Sequence, residues 1–383
     1  MSHAVLSPSS AARWLHCPPS ALINSHAGSA DTVYTREGTL AHSLCELKAR
    51  KKFLGLGPKK YANALAQITA DELWSQEMDT CAGTYLDALT DIWHGFPEPP
   101  YVALEQRVDF SEYVPEGFGT ADCIMISGTT LHVVDYKHGQ GVEVSAEDNP
   151  QMKLYALGAL LDYYQLYDIE TVRMTIVQPR IKREPDTWET TAGELMLWAE
   201  ETVKPAADLA AKGEGDFAAG DWCRFCAIRG TCRKRAEAFL ELDGFGRKLP
   251  PELTDEEVGR ALTLGKDLKT WLVDVEKYAL GACLDGKEIP GYKAVAGRSV
   301  RAWTDQEAAF DAARAAGIPD EMLYERSPVT LAALEKIMGK KPFAETLADF
   351  ITTPPGKPTL APDTDKRPAI TGRPTAEEDF KEE

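Results

Sequence analysis

The stretch from residue 120 to residue 139 reads TADCIMISGTTLHVVDYKHG and decides the fold. Two apolar, β-branched runs, 122–126 and 131–137, flank a short segment that contains Gly128, and this pattern predicts a β-hairpin. Asp122 opens the first strand, and Asp135 and Lys137 end the second. Because alternate residues of a strand share a face, Asp135 and Lys137 project together, and antiparallel pairing can bring Asp122 beside Asp135.

Two carboxylates that converge at the end of a sheet repel each other unless a cation neutralises them. Oxygen ligands of this kind suit Mg²⁺ or Mn²⁺. The other interpretation is that Asp122 is a turn residue and that Asp135 and Lys137 form an exposed ion pair. For these three residues alone, the second interpretation is the commoner one.

Two further motifs favour the first interpretation, a metal site. Gly38-x-x-x-His42 lies on a helix predicted from Thr35, and Gln151 and Tyr155 share one face of a helix predicted over 146–164. In this order the four motifs resemble the PD-(D/E)XK nuclease superfamily, in the RecB-type branch that includes AddB-like and CRISPR-associated exonucleases. The resemblance covers residues 1 to 240, and the whole chain also resembles an uncharacterised family of phage-encoded nucleases.

The resemblance implies an α/β (α+β) fold, with a restriction-endonuclease-like core of a mixed sheet flanked by helices. It implies a DNA exonuclease whose catalytic residues are Asp122, Asp135, Lys137, Gln151 and Tyr155. Mg²⁺ or Mn²⁺ is then held by His42, Asp122, Asp135 and the backbone carbonyl of Tyr136. In this branch a glutamate often lies on the strand that is predicted here over 101–110. Glu105 fits such a position near the metals, and it fits an outward-facing position equally well.

Three cysteines, Cys223, Cys226 and Cys232, have the spacing C-x₂-C-x₅-C. In a reducing compartment such spacing indicates a metal site rather than disulfides, and Cys17 is the best candidate for a fourth ligand. Four thiolates fit either [4Fe–4S] or Zn²⁺, and a trio that binds zinc without Cys17 is the remaining alternative. The resemblance implies an iron–sulfur cluster that ties together the two ends of the nuclease domain. The other cysteines fit small buried hydrophobic positions.

The remaining pattern predicts further elements and three regions. Helices are expected over 58–94 and 192–212, and a strand over 171–178, which completes a nuclease domain over 1–245. A mainly helical accessory domain is expected over 246–350, with helices to residue 284 and over 305–317 and 330–338, and a short β-pair near 291–303. Arg298, Arg301 and Trp303 of this pair either clamp a nucleic acid strand or form an ordinary domain surface. Residues 351–383 form a Pro-rich, acidic tail that is expected to be disordered.

The net charge of −18 over 383 residues argues against a protein that coats nucleic acid by bulk electrostatics. It leaves room for a local basic track, for which residues 48–52, 180–183 and 229–235 are candidates, although each cluster fits a solvated surface equally well. Without a membrane-length apolar run or a signal sequence, the chain is expected in the cytoplasm of a bacterial host cell.

The resemblance implies a metal-dependent deoxyribonuclease in phage or prophage DNA recombination, replication or repair. DNA is the expected partner, with a single-strand annealing protein or a helicase as a further one. The sequence has no G-x-x-x-x-G-K-[ST] motif, so ATP-driven unwinding has to come from such a partner. The alternative is a catalytically silent nucleic-acid-binding scaffold of a recombination complex.

Overall fold

The computed structural model describes residues 4–27, 32–245, 253–297, 303–324 and 328–352, together with 359, 361, 365 and 367. It contains two compact units, Met1–Val295 and Ala296–Glu383, so the boundary predicted between residues 245 and 246 falls inside the first unit. Most of the predicted tail lies outside the described residues. Within them, no helix combines the length and apolarity needed to span a membrane.

In the described residues, five strands form one mixed sheet in the order of the chain. They are β1 (Tyr101–Asp109), β2 (Phe118–Ser127), β3 (Thr130–Tyr136), β4 (Thr171–Val177) and β5 (Asp186–Thr191). Only β3 and β4 pair in parallel. The predicted mixed α+β fold and hairpin are confirmed: Ser127 pairs with Thr130 across a two-residue turn, where Gly128 takes a φ of +56° that favours glycine. The edge strand β5 was not predicted.

The helices of the first unit surround this sheet. They are α1 (Ala11–His16), α2 (Ser20–His26), α3 (Val33–Phe53), α4 (Pro58–Thr69), α5 (Gln76–His94), α6 (Pro150–Tyr163), α7 (Ala192–Trp198), α8 (Lys204–Lys212), α9 (Arg233–Glu237), α10 (Leu240–Phe245) and α11 (Asp255–Leu284). The second unit contains α12 (Gln306–Ala315), α13 (Leu331–Met338) and α14 (Lys340–Leu347).

Several boundaries differ from the predicted ones for local reasons. The predicted helix over 58–94 is two helices, α4 and α5, and the second begins at a serine cap, Ser75. Helix α6 begins at Pro150 rather than at 146, because the Asn149 side chain accepts from the backbone N–H groups of the first turn. The predicted β-pair near 291–303 is a single bridge between Ile289 and Tyr292 in the described residues; Arg298 and Arg301 lie outside them.

Each face of the sheet is covered by a different set of helices. Ile124 and Val133 belong to the core that includes α6, whereas Met125 and Val134 belong to the core that includes α3 and α5. This alternation is what strands buried on both faces require. The hairpin of β2 and β3 therefore lies in the middle of a three-layer arrangement, with α6 on one side and α3 on the other.

The alternation breaks at one point in β1 and at the matching point in β2. Ala103 and Val108 both belong to the core beside α6, although a regular strand would place residues five apart on opposite faces. Between them Glu105 has a φ of +49°, in the left-handed region, and the registered pairs pass over Glu105 and Asp122. The break brings two consecutive residues of β1, Leu104 and Glu105, to the side of α3.

Candidate functional site

Three side chains converge where the strand alternation breaks. His42 of α3, Glu105 of β1 and Asp122 of β2 place one ligand atom each within 4.8 Å of one another. His42 was predicted from its motif, whereas Glu105 was left open between this site and the surface. The left-handed backbone conformation of Glu105 places its side chain at the site rather than at the surface, and the local sequence gives no sign of this conformation.

Both oxygens of the Asp122 carboxylate are held in place. Oδ1 lies 3.3 Å from Nδ1 of His42, and Oδ2 accepts a hydrogen bond of 2.7 Å from the backbone N–H of Tyr136. Burial opposes the charge on both groups, but their attraction outweighs it: the pKa of Asp122 is lowered, and that of His42 is raised to about 9. Without a cation, the proton on His42 thus balances part of the carboxylate charge.

Glu105 lacks a comparable partner. Burial, reinforced by the negative charge of Asp122, raises the pKa of Glu105 to about 7. A carboxyl group in this position gains a proton easily or takes a cation. Glu46 of α3 lines the same small cavity, one helical turn after His42, and forms an ion pair with Arg50.

Asp135 and Lys137 lie beside this cluster, as their spacing predicts. Lys137 Nζ is 2.8 Å from Asp135 Oδ2, and the Asp135 side chain is 3% exposed. This contact pairs the buried carboxylate with a charged ammonium group. Burial raises the pKa of Asp135, with Lys137 opposing and Asp122 adding to the effect. A further buried carboxylate next to the converging side chains of His42, Glu105 and Asp122 fits a divalent cation.

The two predicted residues of α6 join the same site. Lys137 Nζ donates to Oε1 of Gln151 at 3.0 Å, and Nε2 of Gln151 donates to the Tyr155 hydroxyl at 3.1 Å. Because α6 starts at the Asn149 cap, Gln151 lies in its first turn, next to the end of β3. All five residues predicted as catalytic therefore lie in one connected cluster with His42, and their roles remain predictions.

Tyr136, predicted as a ligand through its backbone carbonyl, has a fully buried side chain. Its ring centroid lies 5.4 Å from those of His42 and Tyr85, in edge-to-face contacts. The residue therefore supports the site in two ways: its N–H holds Asp122, and its ring packs against His42. A role for its carbonyl remains a prediction.

A second polar network, which was not predicted from the sequence, holds α3 in place. Glu37 of α3 accepts from Nη1 of Arg180 at 3.0 Å and lies 3.3 Å from Nε2 of His138, whose Nδ1 is 2.8 Å from the Tyr136 hydroxyl. Because an ionised carboxylate can only accept, Nε2 of His138 carries the hydrogen and Nδ1 accepts from Tyr136. Burial lowers the pKa of His138, which favours this neutral form. The network ties the helix that carries His42 to the ends of β3 and β4.

The predicted basic tracks are largely engaged within the protein. Lys48 pairs with Asp79, Arg50 with Glu46 and Lys182 with Asp186. Arg180 binds Glu37 and Glu77, and Asp274 of α11 binds Arg229 and Arg235. Exposed residues of these clusters include Lys51, Lys52, Arg183 and Arg233.

The four predicted cluster cysteines meet in one pocket. Cys17 follows α1, Cys223 lies in a 3₁₀ turn over Asp221–Phe225, Cys226 follows that turn, and Cys232 precedes α9. All four line the same pocket. Asn24 of α2 joins the two ends of the chain here: its Oδ1 accepts from the N–H of Ala227 at 2.8 Å, and its Nδ2 lies 3.7 Å from Sγ of Cys226.

The spacing of the thiols leaves the choice between zinc and an iron–sulfur cluster open. Four sulfurs bound tetrahedrally to zinc at about 2.3 Å lie about 3.8 Å apart. Within the described residues, no three of the cysteine sulfurs lie within 4.8 Å of one another, although all four border one cavity. The spacing does not decide between the two, because thiols that bind no metal are not held at its ligand distances; the donor set fits either a [4Fe–4S] cluster or Zn²⁺, and the choice stays a prediction.

Arg13 also lines this pocket. Burial lowers the pKa of its guanidinium, whereas Cys226 and Cys17 raise it. Its Nε has no hydrogen-bond partner in the described part of the chain. A half-buried cation that faces thiols fits an anionic group in the pocket, such as a cluster with four thiolates.

Comparison with protein families assigns the chain to one of them. A family described as "Protein of unknown function (DUF2800)" matches residues 3–368. The chain belongs to this family. A solved structure described as "Crystal structure of SSO0001" is 14% identical to this chain and has a TM-score of 0.23, and the match covers 49% of this chain and 84% of that one. The family description names no activity, so the nuclease resemblance remains a prediction.

Proposed function

We propose that this member of the family is a metal-dependent DNA exonuclease that hydrolyses phosphodiester bonds. The observation that carries the proposal is the convergence of His42, Glu105 and Asp122, beside the buried ion pair of Asp135 with Lys137. These residues come from α3 and from three adjacent strands, so the fold itself assembles the cluster. The PD-(D/E)XK core and its RecB-type branch are part of this proposal.

The residues fit a divalent cation of the Mg²⁺ or Mn²⁺ type. His42, Glu105, Asp122 and Asp135 would hold one or two such ions, with the imidazole neutral when it binds. A bound cation activates water and offsets the negative charge of the phosphodiester. A cation that binds here has to displace the proton that His42 shares with Asp122. Metal binding would therefore weaken in acid, since protons and cations compete for the same groups.

Lys137 would act on the phosphate or on the attacking water. Its ammonium group lies at the junction of Asp135 and Gln151, and its side chain is 24% exposed, so one of its donors can reach a bound substrate. A positive charge held there stabilises the charge that develops on the phosphate oxygens. Gln151 and Tyr155, which line the path next to Lys137, would orient the strand.

The cysteine pocket would hold a [4Fe–4S] cluster with a structural role, and Zn²⁺ is the alternative. Cys17 lies about two hundred residues before the other three ligands. Closing a loop of that length removes about 5 kcal/mol of chain entropy from the unfolded state. Iron and sulfide analysis, with the visible absorbance of anaerobically purified protein, separates the cluster from zinc.

The decisive experiment is a cleavage assay on end-labelled single- and double-stranded DNA with Mg²⁺ or Mn²⁺. Asp135→Asn removes a cation ligand, and Asp87→Asn, at an exposed position of α5, is the matched control. Metal-dependent, progressive loss of label by the wild type and Asp87→Asn, but not by Asp135→Asn, is expected. Its direction gives the polarity, which the residues do not predict.

A catalytically silent nucleic-acid-binding scaffold is the second candidate. The net charge of −18 and the internal pairing of most basic clusters favour it over a nuclease with a wide DNA track. DNA binding without cleavage under every metal condition, by protein with an occupied cysteine pocket, would establish this candidate and reject the exonuclease. Cleavage that appears only with an added helicase or annealing protein would instead identify the partner, in the phage or prophage DNA metabolism that the resemblance implies.

A further inference from the structure

Helix α11 is the longest helix among the described residues, and one of its faces is packed. Leu264 and Ala282 are buried, and the Trp271 ring packs on Phe239 with centroids 5.4 Å apart. On a neighbouring part of the helix surface, Asp274 binds Arg229 at 3.0 Å and Arg235 at 2.7 Å. This face attaches the helix to the segment that carries the cysteines.

The opposite face of α11 is also apolar, yet it is exposed. At about 100° per residue, six apolar side chains fall within about 120° of arc, centred away from Leu264 and Ala282. They are 42–72% exposed: Val258, Leu262, Leu272, Val273, Leu280 and Leu284. A helix with only one covered face needs only one apolar stripe, so this second stripe indicates another contact.

Three charged residues of α11 between positions 258 and 284 fall within the arc of the exposed stripe: Lys269 and Glu276 near its middle, and Lys266 at its edge, in line with Leu284. Lys269 and Glu276 are seven residues apart, on the same side of the helix as the apolar residues, and both are exposed. Within the described residues neither forms an ion pair with the chain itself, and their spacing is too long for a pair within one helix turn. Their midpoint falls between Leu272 and Val273, at the centre of the stripe.

We propose that α11 pairs with α11 of a second copy of this chain in an antiparallel arrangement. A two-fold axis between positions 272 and 273 places Lys269 of each copy against Glu276 of the other, which gives two ion pairs. The same axis sets Leu272 against Val273, Leu262 against Cys283, and the small Gly265 against Leu280. A self-complementary surface of this kind is what a two-fold contact requires.

The charges also exclude the parallel arrangement. Side by side and in register, parallel helices would set Lys269 against Lys269 and Glu276 against Glu276 across the seam, and like charges in such positions repel. The stripe from 258 to 284 is about 40 Å long at about 1.5 Å per residue. A second copy of α11 supplies an apolar stripe of the same length and the opposite charges at the matching positions 269 and 276.

Charge reversal in the full-length chain tests the contact. Lys269→Glu and Glu276→Lys each replace two ion pairs with two like-charge pairs, and the double variant restores both pairs with the signs exchanged. We expect the wild type to be a dimer in sedimentation equilibrium, each single variant to raise the dissociation constant about tenfold or more, and the double variant to return toward wild type. Asp267→Lys, on an exposed part of α11 away from the stripe, is the control and should dimerise normally.

A second pair of variants separates the apolar contact from misfolding. Leu272→Ser removes a side chain at the proposed axis, whereas Tyr278→Ser removes an exposed ring from another side of the helix. We expect only the first to weaken dimerisation, with the helix content of both unchanged in circular dichroism. A monomeric wild type, single charge variants that dimerise normally, or a double variant as weak as the singles would each overturn the proposal.

Discussion

The carboxylate site and the cysteine pocket both collect ligands from distant parts of the chain, but different forces hold those ligands in place. Glu105, Asp122 and Asp135 stand on three adjacent strands that are hydrogen-bonded to one another. The four cysteines instead stand on short helical turns and loops, joined by side chains such as Asn24. The sheet therefore holds the first set of side chains in place without a metal, whereas the second set is the one whose stability the proposed cluster would supply. Loss of a ligand should affect activity at the first site and stability at the second.

The largest expected effect is that of Asp135→Asn on cleavage. Removing this charge should reduce the cleavage rate by about three orders of magnitude or more, because cation binding and the placement of Lys137 both depend on it. The melting temperature should change little, since the loss of the ion pair with Lys137, whose side chain is 24% exposed, is offset by the removal of a charge from a buried position. Single-turnover cleavage and thermal unfolding of one preparation give both values. A tenth of wild-type activity in this variant would contradict the assignment.

The reverse pattern is expected for Cys226→Ser. Losing one cluster ligand should lower the free energy of unfolding by up to about 5 kcal/mol and abolish the visible absorbance of the cluster. Cys81→Ser, at a buried position outside the pocket, measures what a hydroxyl costs in an ordinary core position. Equal stability loss in the two variants, with iron retained in both, would show that the pocket holds no structural cluster.

A chelator should separate the two sites in the wild-type protein. Brief treatment with EDTA is expected to stop cleavage and leave the melting temperature almost unchanged, because the strands hold the carboxylates in place without a cation. Added Mn²⁺ should restore the activity. If instead the chelator unfolds the protein while the cluster absorbance persists, the carboxylate site is itself structural and does not differ from the cysteine pocket in this respect.

The sequence predicted the hairpin, the order of the central elements and the residues that meet at both sites. The placement of these residues follows from local pattern, whereas their roles stay predictions: alternating strands fix Asp135 and Lys137, a helical turn fixes Gln151 and Tyr155, and a short cysteine spacing marks the pocket. Glu105 was not decided, because strand alternation alone does not reveal a residue with a φ of +49°. Strand β5 was missed because its residues are half exposed and polar, without the apolar run of a central strand.

Glu105→Gln tests this undecided residue and should have a moderate effect. The amide keeps the size of the side chain but is a weaker ligand, so we expect the apparent affinity for Mn²⁺ to fall about tenfold or more, with much of the rate recovered at high Mn²⁺. Glu116→Gln is a close control, because Glu116 is also a glutamate at positive φ, 56°, and is exposed. If both variants bind Mn²⁺ like the wild type, Glu105 is not a ligand.

Arg180→Lys should produce the smallest effect and shows whether Arg180 positions α3 or binds DNA. The lysine keeps the charge but cannot hold Glu37, Glu77 and the His138 carbonyl at once, as the guanidinium does. If Arg180 acts through Glu37 and His138, α3 should hold His42 less firmly, so that kcat and Mn²⁺ affinity fall about threefold to tenfold while KM for DNA and its salt dependence stay unchanged. Arg183→Lys, at an exposed neighbouring position, should change none of these values. A rise in KM with a weaker salt dependence would instead mean that Arg180 exchanges its carboxylate partners for a phosphate of the DNA. The basic segment 180–183 would then be a DNA-binding segment, although its ion pairs argue against that role.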